Sequence, residues 1–120
     1  MIGYHYMEHR DTFLLEIIVE FGEKIQAAKK KYSINRDVFM NDVNLQDLCA
    51  FYVFQIGEHA NDLSETFKNA HPKIVWHRIT GLRNLIAHEY GSINPDILWD
   101  TLENNIPEFC TFCAEQIGKK

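Results

Sequence analysis

The stretch GLRNLIAHEYG, residues 81–91, places several polar side chains inside an otherwise apolar helical run. At about 100° per residue, these side chains fall on one arc of roughly 160° around the helix. This polar stripe consists of Arg83, Asn84, His88 and Tyr90 around the small Ala87, with Trp76, His77 and Thr80 joining it one and two turns earlier. Leucine and isoleucine side chains cover most of the other side. The pattern predicts an amphipathic helix over 75–90.

The composition of the polar stripe is unusual for a solvated helix surface, which is more often rich in glutamate and lysine. A guanidinium such as that of Arg83 binds phosphate bidentately and keeps its charge. The imidazole of His88 changes protonation near neutral pH. Asn84 lies one turn before His88 and can fix the histidine tautomer through a hydrogen bond. Spacing alone leaves open a plain solvent-exposed stripe, but these groups suit phosphate chemistry.

Helical periodicity continues on both sides of this stretch, and no segment shows the alternation or turn signals of strands. Apolar residues at three- and four-residue steps predict helices over 8–32, 44–68 and 75–90, and a fourth that begins near Asn94. The connection 33–43 has room for one helical turn. Four long helices with short connections predict an all-α, up-down helical bundle formed by a single domain, residues 1–120.

Several residues mark the predicted helix ends. Pro72 disfavours helix at the preceding residue and so ends the second helix. Gly91 is a suitable C′ residue for the third. Asn94 followed by Pro95 is a helix cap followed by a first-turn proline, and Pro107 is expected to kink the fourth helix.

The inward sides follow from the same periodicity. For the first helix we expect Phe13, Leu14, Ile17, Ile18, Phe21, Ile25 and Ala28 to face the core. For the second we expect Leu45, Leu48, Phe51, Tyr52, Gln55, Ile56, His59 and Leu63. The aromatic residues of this second helix exceed what one small bundle covers comfortably. A homodimer that hides them is expected, with a monomer of wide core as the alternative.

Composition restricts the classes of function. The net charge of −5 argues against broad, non-specific nucleic-acid binding, although it leaves room for a local basic cleft or a basic protein partner. No apolar run is long enough to span a membrane, and the polar N-terminus is unlike a signal peptide, so a cytoplasmic location is expected.

The three cysteines, Cys49, Cys110 and Cys113, suit reduced core thiols better than a disulfide framework. Cys110 and Cys113 form a C-x-x-C pair inside a helical pattern. Redox or zinc use is the alternative to small apolar helix residues. The histidines form no supported metal motif, and His5 and His9 are interpreted as surface residues. We expect neither a metal nor a cofactor.

The segment R-N-L-I-A-H-E-Y, residues 83–90, resembles the R-x4-H-x-Y signature of the HEPN superfamily, in its HepT-like toxin branch. The resemblance extends over 55–94, through the elements IGE, HP, W and GLRN, and the outer helices fit in length and pattern. One departure is Ile74-Val75-Trp76, where the family often has Ile-Pro-Trp. Another is His59, where the family commonly has alanine; a core role or a contribution to the cleft are both open.

The resemblance implies a helical homodimer with endoribonuclease activity, in which arginine and histidine of both subunits face a shared cleft. These catalytic roles fall on Arg83 and His88, with Asn84 as the supporting polar neighbour. It also implies a partner, an MNT-type nucleotidyltransferase antitoxin that transfers AMP to the motif tyrosine, here Tyr90. A helix-terminal tyrosine packed over the core is the alternative for that residue.

The mechanism expected from these residues needs no metal, because RNA carries its own nucleophile, the 2′-hydroxyl. His88 would transfer protons and Arg83 would stabilise the charged phosphorane. A different class of function remains compatible with the same residues. The chain would then be a non-catalytic nucleotide- or nucleic-acid-binding module, acting as a subunit of a nucleotidyltransferase complex.

Overall fold

A computed structural model describes residues 9–118 and, for Tyr90, the main chain only. Within this range the chain forms seven α-helices: α1 His9–Lys31, α2 Arg36–Met40, α3 Val43–Asn61, α4 Glu65–Ala70, α5 Trp76–Glu89, α6 Pro95–Asp100 and α7 Ile106–Gln116. A 3-10 turn, Tyr90–Ser92, follows α5, and a π-helical turn, Thr101–Asn105, joins α6 to α7. No strand occurs among the described residues. The predicted all-α bundle is confirmed.

Helix α1 is central to the packing. It lies against α3 on one side and α7 on the other, and α3 in turn packs against α5. The short helices α2 and α6 contact each other and α3. The four main rods of the prediction therefore correspond to α1, α3, α5 and the continuous α6–α7 segment.

The inward sides of α1 and α3 differ in part from the prediction. On α1, Leu15, Ile18 and Ile25 are fully buried, but Phe13 is 60% exposed, so its predicted core position is wrong. On α3 the buried positions are mostly small or β-branched: Leu45, Cys49, Ala50, Val53, Ile56, Gly57 and Ala60. Phe51 is 50% exposed and not inward. Close approach between helices selects small residues there, which moves the bulky ones to the rim.

The predicted helix over 44–68 is two helices, because the chain turns at residues 62–64. Ser64 caps α4 by accepting a hydrogen bond from the Phe67 N–H at 3.1 Å. The buried carboxylate of Asp11 accepts from the Ser64 N–H at 2.8 Å and from its hydroxyl at 2.6 Å. These bonds fasten the start of α1 to the α3–α4 turn. A serine before an acidic first turn is an N-cap signal that the prediction overlooked.

An aromatic cluster fills the space between α4, α5 and α7. The Trp76 indole N–H donates to the carbonyl oxygens of Lys68 and His71, at 3.2 and 3.1 Å. The His71 ring lies 4.6 Å from that of Phe67 and 5.1 Å from that of Phe112, between ring centroids. Burial lowers the pKa of His71. The cluster explains why α5 begins at Trp76.

The prediction is right for the start of α6 and wrong for the end of α5. Asn94 caps α6 by accepting from the Asp96 N–H at 2.8 Å, with Pro95 in the first turn, as expected. Gly91 is not a left-handed C′ residue, because α5 passes directly into the 3-10 turn and the only described glycine with positive φ is Gly118. That part of the prediction is wrong.

The irregularity expected at Pro107 is present one turn upstream. In the π-helical turn the Ile106 N–H bonds to the Thr101 carbonyl, five residues back. A proline has no N–H for the carbonyl four residues before it, so the regular helical pattern cannot continue unchanged. Beyond the turn, α7 faces α1, whereas α6 faces α2 and α3.

The cysteines behave as core residues. Cys49 and Cys113 are buried, and all three thiols are free. Burial raises the pKa of Cys49 to about 11 and that of Cys110 to about 12. Such thiols are mostly protonated at neutral pH, unlike reactive thiolates. None of the described helices has the length and apolar character needed to cross a membrane.

Candidate active site

The contact between α3 and α5 fixes the backbone position of Arg83. A Cβ atom added to Gly57 on α3 would lie 2.6 Å from the Arg83 Cβ and 3.3 Å from its Cα and N. No side chain fits between the two helices at this level. Gly57 therefore allows α5 to pack closely against α3, and the Arg83 side chain leaves α5 directly beside α3.

The guanidinium of Arg83 is oriented by two partners. Its Nε–H donates to the Glu58 carboxylate on α3, and its Nη1 donates to the Asn84 Oδ1 at 2.8 Å. A guanidinium has five N–H donors in a fixed plane. Three of them have no acceptor among the described residues. The ion pair is about two-thirds shielded from solvent, so it holds the side chain more firmly than a fully exposed pair.

Glu58 is the site residue that the analysis of spacing missed. It lies 25 positions before Arg83 and on another helix, so no local pattern joins the two. The only sequence signal was its place in the IGE element of the family resemblance. The structure adds Glu58 and Gly57 to the predicted set.

His88 and Asn84 lie on the exposed side of α5. The expected Asn84–His88 hydrogen bond is not formed, since the Asn84 oxygen accepts from Arg83 instead. Among the described side chains, His88 has no hydrogen-bond or ionic partner. Five residues separate it from Arg83, which corresponds to about 140° around the helix. Within one chain the two side chains therefore point in different directions.

Tyr90 follows α5 in the 3-10 turn Tyr90–Ser92. This places its main chain at the end of the helix, as the sequence predicts. The side chain lies outside the described part of the structure, so the access of its hydroxyl stays a prediction. His5 likewise lies outside the described residues, whereas His9 is exposed as expected.

The N-terminal part of the polar stripe divides into two groups. His77 is exposed, on the same side of α5 as Asn84. Trp76 does not belong to the stripe, because its ring packs inward against Phe67 and Phe109. Thr80 is half-buried, and its hydroxyl lies 3.5 Å from the Asn61 side-chain oxygen on α3. Trp76 is thus a corrected prediction, and its reason is the aromatic cluster at this end of α5.

An apolar surface adjoins the Arg83–Glu58 pair. Phe51 lies two turns before Glu58 on the same side of α3, and its ring is 6.2 Å from that of Phe21 on α1. His59 is half-buried beside Phe21, with its Nδ1 2.6 Å from the Gln55 carbonyl. Since a carbonyl only accepts, Nδ1 carries the proton. His59 therefore packs beside this surface and does not reach Arg83.

Other candidate sites in the described range are weak. No group of three or more His, Cys, Asp or Glu side chains in residues 9–118 is arranged to hold a metal ion. A cavity of about 650 Å³ lies between α1 and α7, lined partly by Val19, Gly22, Ile106 and Cys110. It lies on the α1–α7 side of the bundle, whereas Arg83 lies between α3 and α5. The α3–α5 edge, formed by Gly57 and Glu58 on α3 and by Arg83, Asn84 and His88 on α5, remains the best candidate for an active site.

Comparison with known proteins identifies a family. A family model described as Ribonuclease HepT-like matches residues 21–115, which include α3, α5 and every residue of the α3–α5 edge. The chain belongs to the HepT-like ribonuclease family. The residues that match the HepT-like model include both Arg83 and its partner Glu58, so the ion pair lies within the matched part of the chain.

Several relatives resemble this HepT-like chain. A Thermococcus cleftensis protein named "Probable ribonuclease HepT" is 28% identical over 103 residues, 82% of this chain and 86% of its own. A Methanocaldococcus jannaschii protein named "Putative RNase" is 26% identical over 104 residues, 85% and 93% of the two chains. A "Putative RNase" of Caldanaerobacter subterraneus subsp. tengcongensis is 40% identical over 53 residues, 44% of this chain.

The aligned lengths differ among these relatives. This HepT-like chain spans 47% of the length of the Caldanaerobacter relative. It spans 59% of the length of another Methanocaldococcus jannaschii "Putative RNase", which is 34% identical over 71 residues. No solved structure matches the chain.

Proposed function

We propose that this chain is a metal-independent endoribonuclease and the toxin of a type VII toxin–antitoxin system. The observation that carries the proposal is the orientation of the Arg83 guanidinium by Glu58 and Asn84. Three of its N–H donors have no acceptor among the described residues, and the exposed His88 lies on the same helix. RNA supplies its own nucleophile in the 2′-hydroxyl. The enzyme must then move protons and stabilise negative charge, and these two residue types do both.

In the proposed reaction His88 takes the proton of the 2′-hydroxyl as its oxygen attacks the adjacent phosphorus. The bond from phosphorus to the 5′-oxygen breaks, and that oxygen receives a proton from a second imidazole or from the same one. Arg83 binds the non-bridging oxygens, whose negative charge rises in the phosphorane. The products are a 2′,3′-cyclic phosphate and a 5′-hydroxyl.

A homodimer completes the site in this proposal. Arg83 and His88 of one chain diverge by about 140° around α5, so one chain does not close a cleft around a phosphodiester. The half-exposed Phe51 lies two turns from Glu58 on the same side of α3 and gives a second copy an apolar surface to cover. Two-fold packing there would bring two copies of each catalytic residue together.

The proposed regulator is an MNT-type nucleotidyltransferase antitoxin. It would join the Tyr90 hydroxyl to the α-phosphate of ATP, with loss of the phenolic proton and release of pyrophosphate. Each added AMP brings a phosphate anion to the end of α5, within the region that binds RNA phosphate. The modification would repel and displace the substrate. Intact mass after co-expression with an active antitoxin tests this, since an unmodified protein would contradict it.

Cleavage of single-stranded RNA by the purified protein tests the catalytic assignment. Arg83→Ala and His88→Ala are expected to lower the rate by about 10²–10⁴-fold. The exposed His9→Ala on α1 is a matched control that should retain activity. Equal cleavage by His88→Ala and wild type would remove the assignment.

Growth separates the toxin from a non-catalytic binding module. Expression of the chain alone in a bacterium should arrest growth, and Arg83→Ala or His88→Ala should abolish the arrest. Harmless expression of the folded wild-type protein, with RNA bound but uncut, would favour the binding module.

A further inference from the structure

Gly81 is an exposed glycine in the interior of α5, and no described part of the chain requires it. A Cβ added there would meet no atom within 4 Å, in contrast to Gly57. A glycine inside a helix is less stable than alanine, because glycine loses more backbone entropy on folding. The described part of the fold would therefore be more stable with alanine, so we look for a ligand that approaches the helix at Gly81.

The neighbours of Gly81 on the surface of α5 are polar. His77, Gly81, Asn84 and His88 follow one another at steps of four, three and four residues, and all are exposed. At such steps they form one row along the helix. The row is about 16 Å long, because eleven steps of about 1.5 Å separate His77 from His88. It carries two imidazoles and an amide, and no acidic or apolar side chain.

The charge of α5 also differs from that of the whole protein. The net charge of the chain is −5. Helix α5 contains two arginines, Arg78 and Arg83, against the single acid Glu89. Arg78, Arg83 and Glu89 each lie about 100° around the helix from a neighbouring residue of the row, so all three flank it. The helix offers a local positive surface to an anion.

We propose that an RNA strand lies along this row, with His77 as a second phosphate-binding position beyond the scissile phosphate at Arg83 and His88. Imidazole and amide N–H groups donate to phosphate oxygens and set the register of a strand. Gly81 lets the ribose–phosphate backbone touch the helix where a side chain would hold it away. The inference rests on the proposed ribonuclease function and extends it to a substrate longer than one dinucleotide step.

A second copy of the chain is the other molecule that could bind along this row. It is less favoured, because burial of two imidazoles and an amide without partners would be costly. The exposed aromatic rings of Phe13 and Phe51 suit a protein contact better, and they lie on α1 and α3.

The test uses the full-length protein and a fluorescent 2′-O-methyl RNA of mixed sequence, which lacks the nucleophile and reports binding alone. Gly81→Ala and His77→Ala are each expected to weaken binding by about three- to tenfold. His77→Ala loses one hydrogen bond to phosphate, and the methyl group of Gly81→Ala holds the RNA backbone away from the helix. Gly81→Ala should at the same time raise the thermal unfolding midpoint. His9→Ala is the control, and its binding should equal wild type.

The outcomes separate the inference from the proposed function. If wild type binds RNA and both variants bind equally well, the row is not a subsite, although the ribonuclease proposal stands. If Gly81→Ala leaves RNA binding unchanged but weakens the dimer in sedimentation, a second copy lies there instead. A lower unfolding midpoint for Gly81→Ala would show a need for glycine within the fold. If wild type binds no RNA, both proposals fall.

Discussion

The close approach of α3 and α5 makes Gly57→Ala the most informative single change in this chain. The new Cβ would stand 2.6 Å from the Arg83 Cβ, with the Arg83 Cα and N at 3.3 Å. None of these atoms is the far end of a flexible side chain. Relief therefore requires α5 to move away from α3 by about 0.8 Å, to reach ordinary contact at 3.4 Å.

Two opposing effects set the change in stability. Alanine favours the helix by about 1 kcal/mol over glycine. Overpacking between backbones costs about 1–3 kcal/mol. With Arg83 backbone atoms opposing the new methyl group, we expect the upper part of that range and a net loss of about 1–2 kcal/mol in the free energy of unfolding. A displacement of Arg83 near 1 Å should also slow cleavage by about 10–100-fold.

Urea unfolding and RNA cleavage on the same samples measure both effects. Gly81→Ala is the stability control, since it makes the same substitution in the facing helix without a clash and should be stabilising. Opposite signs for the two variants are the expected result. A Gly57→Ala protein as stable and as active as wild type would show that the two helices do not need the glycine and that the position of Arg83 is not critical.

Two further predictions concern the fold. Asp11→Ala should lower the free energy of unfolding by about 2–3 kcal/mol, because Ser64 loses both hydrogen bonds to a buried carboxylate. The exposed Glu16→Ala is the control in urea unfolding, and equal losses of stability in the two variants would contradict this explanation. Burial lowers the pKa of His71, so the fold favours its neutral form. Stability should then be complete above the ordinary pKa of 6.5 and fall as pH drops below it. His71→Phe should flatten this dependence between pH 7.5 and 5, and an unchanged slope would assign it to another group.

Periodicity along the chain predicted the helices because burial of one side of a helix leaves a local signal. It failed where a tertiary contact decided the outcome. The turn at Ser64 depends on Asp11, 53 residues earlier in the chain. Phe13 and Phe51 look like core residues by type, but both are exposed. On α3 the helices approach so closely that small residues occupy most core positions.

The candidate site shows the same division. Arg83, Asn84 and His88 are close in sequence and share one helix, so spacing alone brought them together. Their grouping could not reveal that Arg83 is held by Glu58, or that Asn84 binds the guanidinium and not the imidazole. Trp76 matched the stripe by angle, yet its indole N–H donates to the carbonyls of Lys68 and His71 and the ring lies inward.

The π-helical turn Thr101–Asn105 bears on how this chain can vary in length. Its wider spacing accommodates one more residue than a regular turn and sets the rotation of α7 against α1. Glu103 pairs with Lys29 and Asn104 donates to Asp100, but both side chains are exposed, so other side chains fit at both positions. Deletion of either residue would instead turn Phe109 and Cys113 out of the core by roughly a quarter of a turn. Homologous chains should therefore differ freely in residue type at these positions, while insertions and deletions are excluded there.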